Sequence, residues 1–267
     1  MKRLLFILFC LFIFGVNLKV YALDALIVGA MDCEIDYIAQ ALENKKNYKI
    51  NGLDIYKGKI AKNDVVVASV GVGKIKSALG VQFLIDKYKP DYVINIGISG
   101  ALSKNLNQKD LIIALGAMQY DYDISAFGYL KGYVSGEKNK NIPSIYYCNN
   151  ELGKIIENKI KEKYKYVNIS KGIIATGDKF VASLNEKNKI NSQFGAIACD
   201  MESAAVIKAA DFNNIPCVVL RVICDSLSDD AKKYETNEKD IAQFSAKILY
   251  DVLNDIDLKR LKLDKKD

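Results

Sequence analysis

Six short segments carry the residues whose types and spacing could do chemistry. Gly29-Ala30-Met31-Asp32-Cys33-Glu34 and Asp200-Met201-Glu202-Ser203 each bring two carboxylates ahead of an apolar stretch. Arg221-Val222-Ile223-Cys224-Asp225 sets a charged pair at the end of an apolar run. Gly71-Val72-Gly73-Lys74 has the form of an anion-cradling turn at a helix N-terminus. Asn95-Ile96-Gly97-Ile98-Ser99-Gly100 marks a close backbone approach, and Thr176-Gly177-Asp178-Lys179-Phe180 ends in a ring that could stack on a base. Each has a plain structural reading beside the chemical one. Asp32 and Glu34 could be a charge pair favoured by the helix dipole, Asp200 a cap, and residues 176–180 a turn. Gly71–Lys74 lacks the spacing of either nucleotide fingerprint. Arg221 and Asp225 are harder to dismiss, because buried charges are costly unless they are paired or working.

Composition narrows the chemistry. The chain has 267 residues, 50% of them hydrophobic, and no histidine. Ser-His-Asp and Cys-His catalysis and any imidazole zinc site are therefore excluded. A chain of this length buries enough surface to fold without disulfides or metals. No tryptophan and only 3 prolines argue against Pro-rich linkers. The first 22 residues stand apart: a basic Met1-Lys2-Arg3, an apolar Leu4–Val16, then Val20-Tyr21-Ala22. This is the layout of a secretory signal peptide cleaved before Leu23, with an uncleaved membrane anchor as the alternative. The expected location is the periplasm or cell surface. Lys2, Arg3 and Lys19 leave with this segment, taking the net charge from +6 to +3, too mild to imply a nucleic-acid partner. Cys33, Cys148, Cys199, Cys217 and Cys224 remain, an odd set that predicts no disulfide framework.

From Leu23 onward strand and helix patterns alternate without a linker, so residues 23–267 read as one domain with a mobile basic tail from about 256. Apolar runs at Leu26–Ala30, Ile55–Ile60, Val65–Val70, Tyr92–Ile96, Leu111–Leu115, Gly172–Thr176 and Cys217–Ile223 predict strands. Helical spacing marks Glu34–Leu42, Lys74–Lys87, Glu151–Tyr164, Met201–Phe212 and Asn237–Leu253, with Ile75, Ala78, Leu79 and Phe83 expected on one face of the second. Such alternation implies an α/β fold, a three-layer αβα sandwich around a mostly parallel or mixed sheet. Ligands in such sheets bind beyond the carboxyl ends of strands, where the six segments fall.

The order and spacing of these segments, with Ser125-Ala126-Phe127-Gly128-Tyr129, resemble the 5′-methylthioadenosine/S-adenosylhomocysteine nucleosidases over Leu23 to Leu253. The resemblance implies the nucleoside phosphorylase fold, a homodimer, no cofactor and no metal. It implies hydrolysis of an adenosine N-glycosidic bond through an oxocarbenium-like transition state. Glu34 matches the acid that activates water, and Asp225 the acid that protonates adenine at N7. Glu202 and Met201 match residues that hold the ribose, Phe180 and Val181 those at the base, and Gly100 the turn on the ribosyl side. Arg221 is carried over as substrate-binding, and Ile55, Phe127 and Tyr129 as reaching in from the neighbouring protomer. Two separated carboxylates suit such a reaction without histidine, provided burial keeps Asp225 protonated near neutrality. The chain departs from the pattern at Ile98-Ser99, where Ser-Ala is common, and at Cys224, where Ser is common; Tyr234 stands in for a shifted aromatic lid. A nucleoside phosphorylase shares the fold but needs cationic side chains for phosphate. A third reading is a surface protein binding sulfated polysaccharide through Lys159, Lys161, Lys163, Lys165 and Lys171, which are otherwise a solvated helix face.

Overall fold

Uninterrupted aliphatic segments become strands buried on both faces, and the amphipathic segments become the helices that cover them. The computed structural model describes residues 23–227, 231–261 and 263; the expected signal peptide over residues 1–22 lies outside the described residues. The first half of the chain contains β1 (Leu23–Gly29), α1 (Asp32–Ala41), β2 (Glu43–Ile50), β3 (Leu53–Ile60), β4 (Asn63–Ser69), α2 (Lys74–Tyr88), β5 (Pro90–Ala101) and β6 (Leu111–Gln119). The second half contains β7 (Ile145–Tyr147), α3 (Asn150–Lys163), β8 (Ile169–Thr176), α4 (Leu184–Phe194), β9 (Ala198–Asp200), α5 (Ser203–Phe212), β10 (Cys217–Asp225) and α6 (Ala231–Leu253).

All the strands belong to one mixed sheet in the order β10-β6-β8-β9-β5-β1-β4-β3-β2, with β7 beside β6. A further pairing of β10 with β5 closes β5, β10, β6, β8 and β9 into a ring. β1, β5 and β10 run parallel, whereas β9 meets β5 antiparallel. That register sets the site: Gly100 pairs with both Asp225 and Cys199, and Asp200 pairs with Thr176. One apolar cluster lies under α1, α3 and α6, and another under α2 and α5, so helices cover both faces of the sheet. This is the three-layer αβα architecture expected from the sequence.

Several local expectations change. α2 turns Ser77, Gly80, Val81, Leu84 and Ile85 inward, leaving Ile75 and Leu79 73% and 68% exposed. Gly80 explains the rotation, since a Cβ there would lie 2.9 Å from Val70 Cβ. β2 went unread because its sequence, ENKKNYKI, is an edge strand exposed at almost every position. β7 and β9 are only 3 residues each, and polar α4 buries just Lys187 and Ile190. The expected mobile tail is docked as far as it is described. Asn63 donates to the carbonyls of Leu253 and Ile256 and accepts from the Leu258 amide, while Lys259 pairs with Asp64 at 2.8 Å. No helix among the described residues is long and apolar enough to cross a membrane.

Candidate active site

Glu34 sits in the first turn of α1 but faces the sheet, 3% exposed. Its Oε2 accepts from the amides of Ala30 (2.6 Å) and Met31 (3.0 Å), and its Oε1 accepts from the Ile98 amide of β5 (3.0 Å). The turn leaving β1 and the backbone of β5 therefore fix one carboxylate, and a Cβ at Gly97 would collide with its Oε1. Burial pushes Glu34 above the usual carboxylate range, outweighing the opposing pull of Arg221 and of the three amides. Asp32 has the surface role instead, accepting from the Ser69 hydroxyl.

Asp225 reaches the same pocket through an irregularity in β10. Ile223 pairs with Ser99 and Asp225 with Gly100, so Cys224 is passed over between them. Bulges of this kind re-aim side chains beside active sites. Cys224 points into the core, its Sγ 3.8 Å from the Tyr234 carbonyl. The Asp225 carboxylate lies against Gly100, where a Cβ would come within 3.0 Å of it. Burial is as expected, but burial does not act alone. Lys187 of α4, its side chain wholly buried, places Nζ 2.6 Å from Asp225 Oδ2 and donates to the Ser226 carbonyl at 3.0 Å. Its ammonium favours the ionised carboxylate, against the desolvation expected to keep Asp225 protonated.

Glu202 is held by the Gly71–Lys74 turn. Its Oε1 accepts from the Gly73 amide (3.0 Å), Asp178 takes the Lys74 amide (2.8 Å), and Asp121 takes the Lys74 ammonium (2.7 Å). The anion cradle read from the sequence is thus filled by the protein's own carboxylates. Burial, with repulsion from Asp200 and Glu34, raises Glu202 to about 8 against the pull of Arg221 and the Gly73 amide. Asp200 does act as a cap, accepting from the Ser203 amide, and it also accepts from the Thr176 hydroxyl at 2.7 Å.

Arg221 requires a correction. It is 1% exposed and absent from the pocket wall, because its guanidinium is committed to Asp200 (3.0 Å) and to the Asn95 side chain (2.7 Å). It braces Asp200 and Asn95 from behind the pocket wall. Ile55 is corrected too: wholly buried in the core and paired with Ala68, it cannot enter a neighbour's pocket. Phe127 is 80% exposed, and Tyr129 stacks on Tyr133 at 5.1 Å; neither lines this chain's pocket.

The other expected residues do converge. Glu34, Gly100, Asp225 and Glu202 share one cleft with Met201, Phe180, Val181 and Tyr234, enclosing about 550 Å³ of atom-free space including the part open to solvent. Tyr234 stands edge-on to Phe180, with ring centroids 5.0 Å apart at 71°. Sequence reasoning missed Lys187, whose helix shows no apolar stripe; a lysine between Asn185-Glu186 and Asn188-Lys189 looks like any surface residue. It also gave no role to the Ser99 hydroxyl, which is buried on the pocket wall without a hydrogen-bond partner. Of the lysines proposed for polysaccharide, Lys159 pairs with Glu162 (2.7 Å), Lys161 and Lys171 with Glu157, and Lys163 with Asp255 (2.9 Å).

Residues 24–254 match the phosphorylase superfamily model. A 5′-methylthioadenosine/S-adenosylhomocysteine nucleosidase of Exiguobacterium sp. is 32% identical over 206 residues, 77% of this chain and 86% of that protein. The S-adenosylhomocysteine nucleosidase of Streptococcus pyogenes, solved with 5-methylthiotubericidin, has a TM-score of 0.80 at 28% identity and covers 88% of this chain and 98% of its own. The corresponding enzyme of Helicobacter pylori, solved with butyl-thio-DADMe-Immucillin-A, has a TM-score of 0.81 at 27% identity, covering 88% and 100%. With a fold, a chain span and a carboxylate-lined cleft all in accord, this chain belongs to the 5′-methylthioadenosine/S-adenosylhomocysteine nucleosidase family of the phosphorylase superfamily.

Proposed function

We propose that the protein hydrolyses the N-glycosidic bond of 5′-methylthioadenosine and S-adenosylhomocysteine, releasing adenine and the 5-thio-substituted ribose. The observation that carries this reading is the pair of buried carboxylates, Glu34 and Asp225, held by different strands around one cleft with an aromatic ring at its mouth. Asp225 gives a proton to N7, so the base leaves neutral as the C1′–N9 bond breaks. Glu34 takes a proton from the water that attacks C1′, its raised affinity for protons suiting it to act as a base near neutrality. Glu202 accepts from the ribose hydroxyls, Met201 packs on the sugar, and Phe180 stacks on adenine with Val181 at its edge. Asp225→Asn and Glu34→Gln should each lower kcat by about 10²–10⁴-fold with little change in nucleoside affinity. Adenine release by the variants, followed beside direct binding, checks this; near-native turnover in either would remove that residue from its role.

Phosphorolysis is disfavoured because the amides of Gly73 and Lys74, in the turn read from the sequence as an anion cradle, are occupied by Glu202 and Asp178. Polysaccharide binding gains little support from lysines already paired with acids. Homodimerisation is supported by the exposed apolar side chains of Ile75 and Leu79 next to Phe212 (78% exposed), with Phe127 on a projecting turn suited to reach a partner's pocket. Export rests on the sequence of the first 22 residues alone: the basic start, the apolar Leu4–Val16 and the small residues of Val20-Tyr21-Ala22.

A further inference from the structure

We propose that Lys187 is a positioning residue for the leaving-group acid: its buried ammonium aims Asp225 into the cleft and stabilises the carboxylate that remains once the proton has passed to the purine. This rests on the nucleosidase reading above. α4 is otherwise polar and solvated, and it turns inward only Ile190 and Lys187. A lysine in the opening turn of a helix also works against the helix dipole. Removing an ammonium from water is costly, and an apolar residue of similar volume is usually at least as stable in such a place. Stability therefore does not account for a lysine with none of its side chain exposed. Its partners do: Asp225 Oδ2 at 2.6 Å and the Ser226 carbonyl at 3.0 Å, both at the end of β10 that faces the base.

The departure at Cys224 fits the same account. The residue before the acid is a thiol turned into the core toward Tyr234, and the acid is held from the other side by α4. The chemistry balances without any added reagent. The Asp225 proton moves to N7, the C1′–N9 electron pair moves into the purine, and Asp225 is left as a carboxylate beside the Lys187 ammonium. Water adds to C1′ and its proton passes to Glu34; proton exchange with solvent then restores both acids. Lys187 makes fewer Asp225 carboxyls protonated at neutral pH and makes each one a stronger donor.

The pH profile of kcat/KM separates this role from a structural one. The other ionisable groups on the cleft are Glu34, Glu202 and Asp200 with Cys199, Lys179 and Tyr234, so the comparison must be made within matched backgrounds. Lys187→Met should move the basic limb for 5′-methylthioadenosine upward by about 1–3 pH units and lower the maximum, whereas Lys187→Arg should keep the limb in place. In an Asp225→Asn background, Lys187→Met should move nothing. An unmoved limb with activity scaled down evenly would overturn the proposal. An inactive wild type would instead overturn the nucleosidase reading itself. If Lys187→Met does not fold, Lys187→Gln decides by the same profile: a basic limb moved upward is expected, and an unmoved limb overturns the proposal.

Discussion

Four acids crowd one cleft, and three of them, Glu34, Asp225 and Glu202, are governed by different neighbours. Glu34 is fixed by three backbone amides, Asp225 by an ammonium, and Glu202 by one amide amid two other carboxylates. The crowding has a thermodynamic consequence at Glu202. Its folded-state proton affinity is raised to about 8 from an ordinary 4.5, so the folded chain binds this proton more tightly than the unfolded chain. Its contribution is therefore fully present below about pH 4.5 and is lost as pH rises toward about 8, by an amount on the order of a few kcal/mol. Denaturant unfolding of the ligand-free protein should show stability falling between pH 5 and 8, and Glu202→Gln should flatten part of that fall. An unchanged slope in the variant would contradict the assignment. At this scale the sequence was legible wherever a motif meets the cleft directly, as at Phe180 and Met201. It was less legible at Arg221, because a charge at a strand end reads the same on a pocket wall as where this one lies, behind that wall and paired with Asp200.

Elements decide which of these side chains meet. Strand alternation sends Cys224 to the core and Asp225 to the other side, and the register shift against β5 sets that acid beside Gly100. Such a shift has no composition signal; it follows only from pairing with β5. The same limit applies to α2, where apolar spacing was visible but its direction was not. Ile75 and Leu79 continue the helical period yet face outward, since Gly80 lets the opposite side approach Val70. An exposed apolar face of this kind predicts a partner. Leu79→Asp should convert a dimer into a monomer by light scattering. If, as proposed, Phe127 and Tyr129 reach a neighbour's cleft, it should also cost activity beyond any loss of folding. A wild type that is already monomeric, or a variant that stays dimeric at full activity, would contradict this. α4 was the element hardest to read: its functional residue is a lysine in a polar helix, recognisable only from the burial that tertiary packing imposes.

The whole molecule gathers strands distant in sequence into one ring, so that residues as far apart as Glu34 and Asp225 share a cleft. Strand–helix alternation made this architecture legible, since each apolar run had to be buried and each helix had to cover a face. The ring closure was not legible, because it depends on β10 pairing with both β5 and β6. Among the described residues the strands run from Leu23 to Asp225. Mass spectrometry of the native protein should find Leu23 at the N-terminus; an intact residue 1–22 segment would favour an anchor.

The central claim is that water, not phosphate, takes the ribosyl group, because the chain's own carboxylates occupy the turn that would otherwise bind an anion. Product analysis of 5′-methylthioadenosine turnover, with and without inorganic phosphate, tests it most directly. The account predicts adenine and free 5-methylthioribose at a rate that phosphate leaves unchanged. A 5-methylthioribose-1-phosphate product, or turnover that requires phosphate, would contradict it.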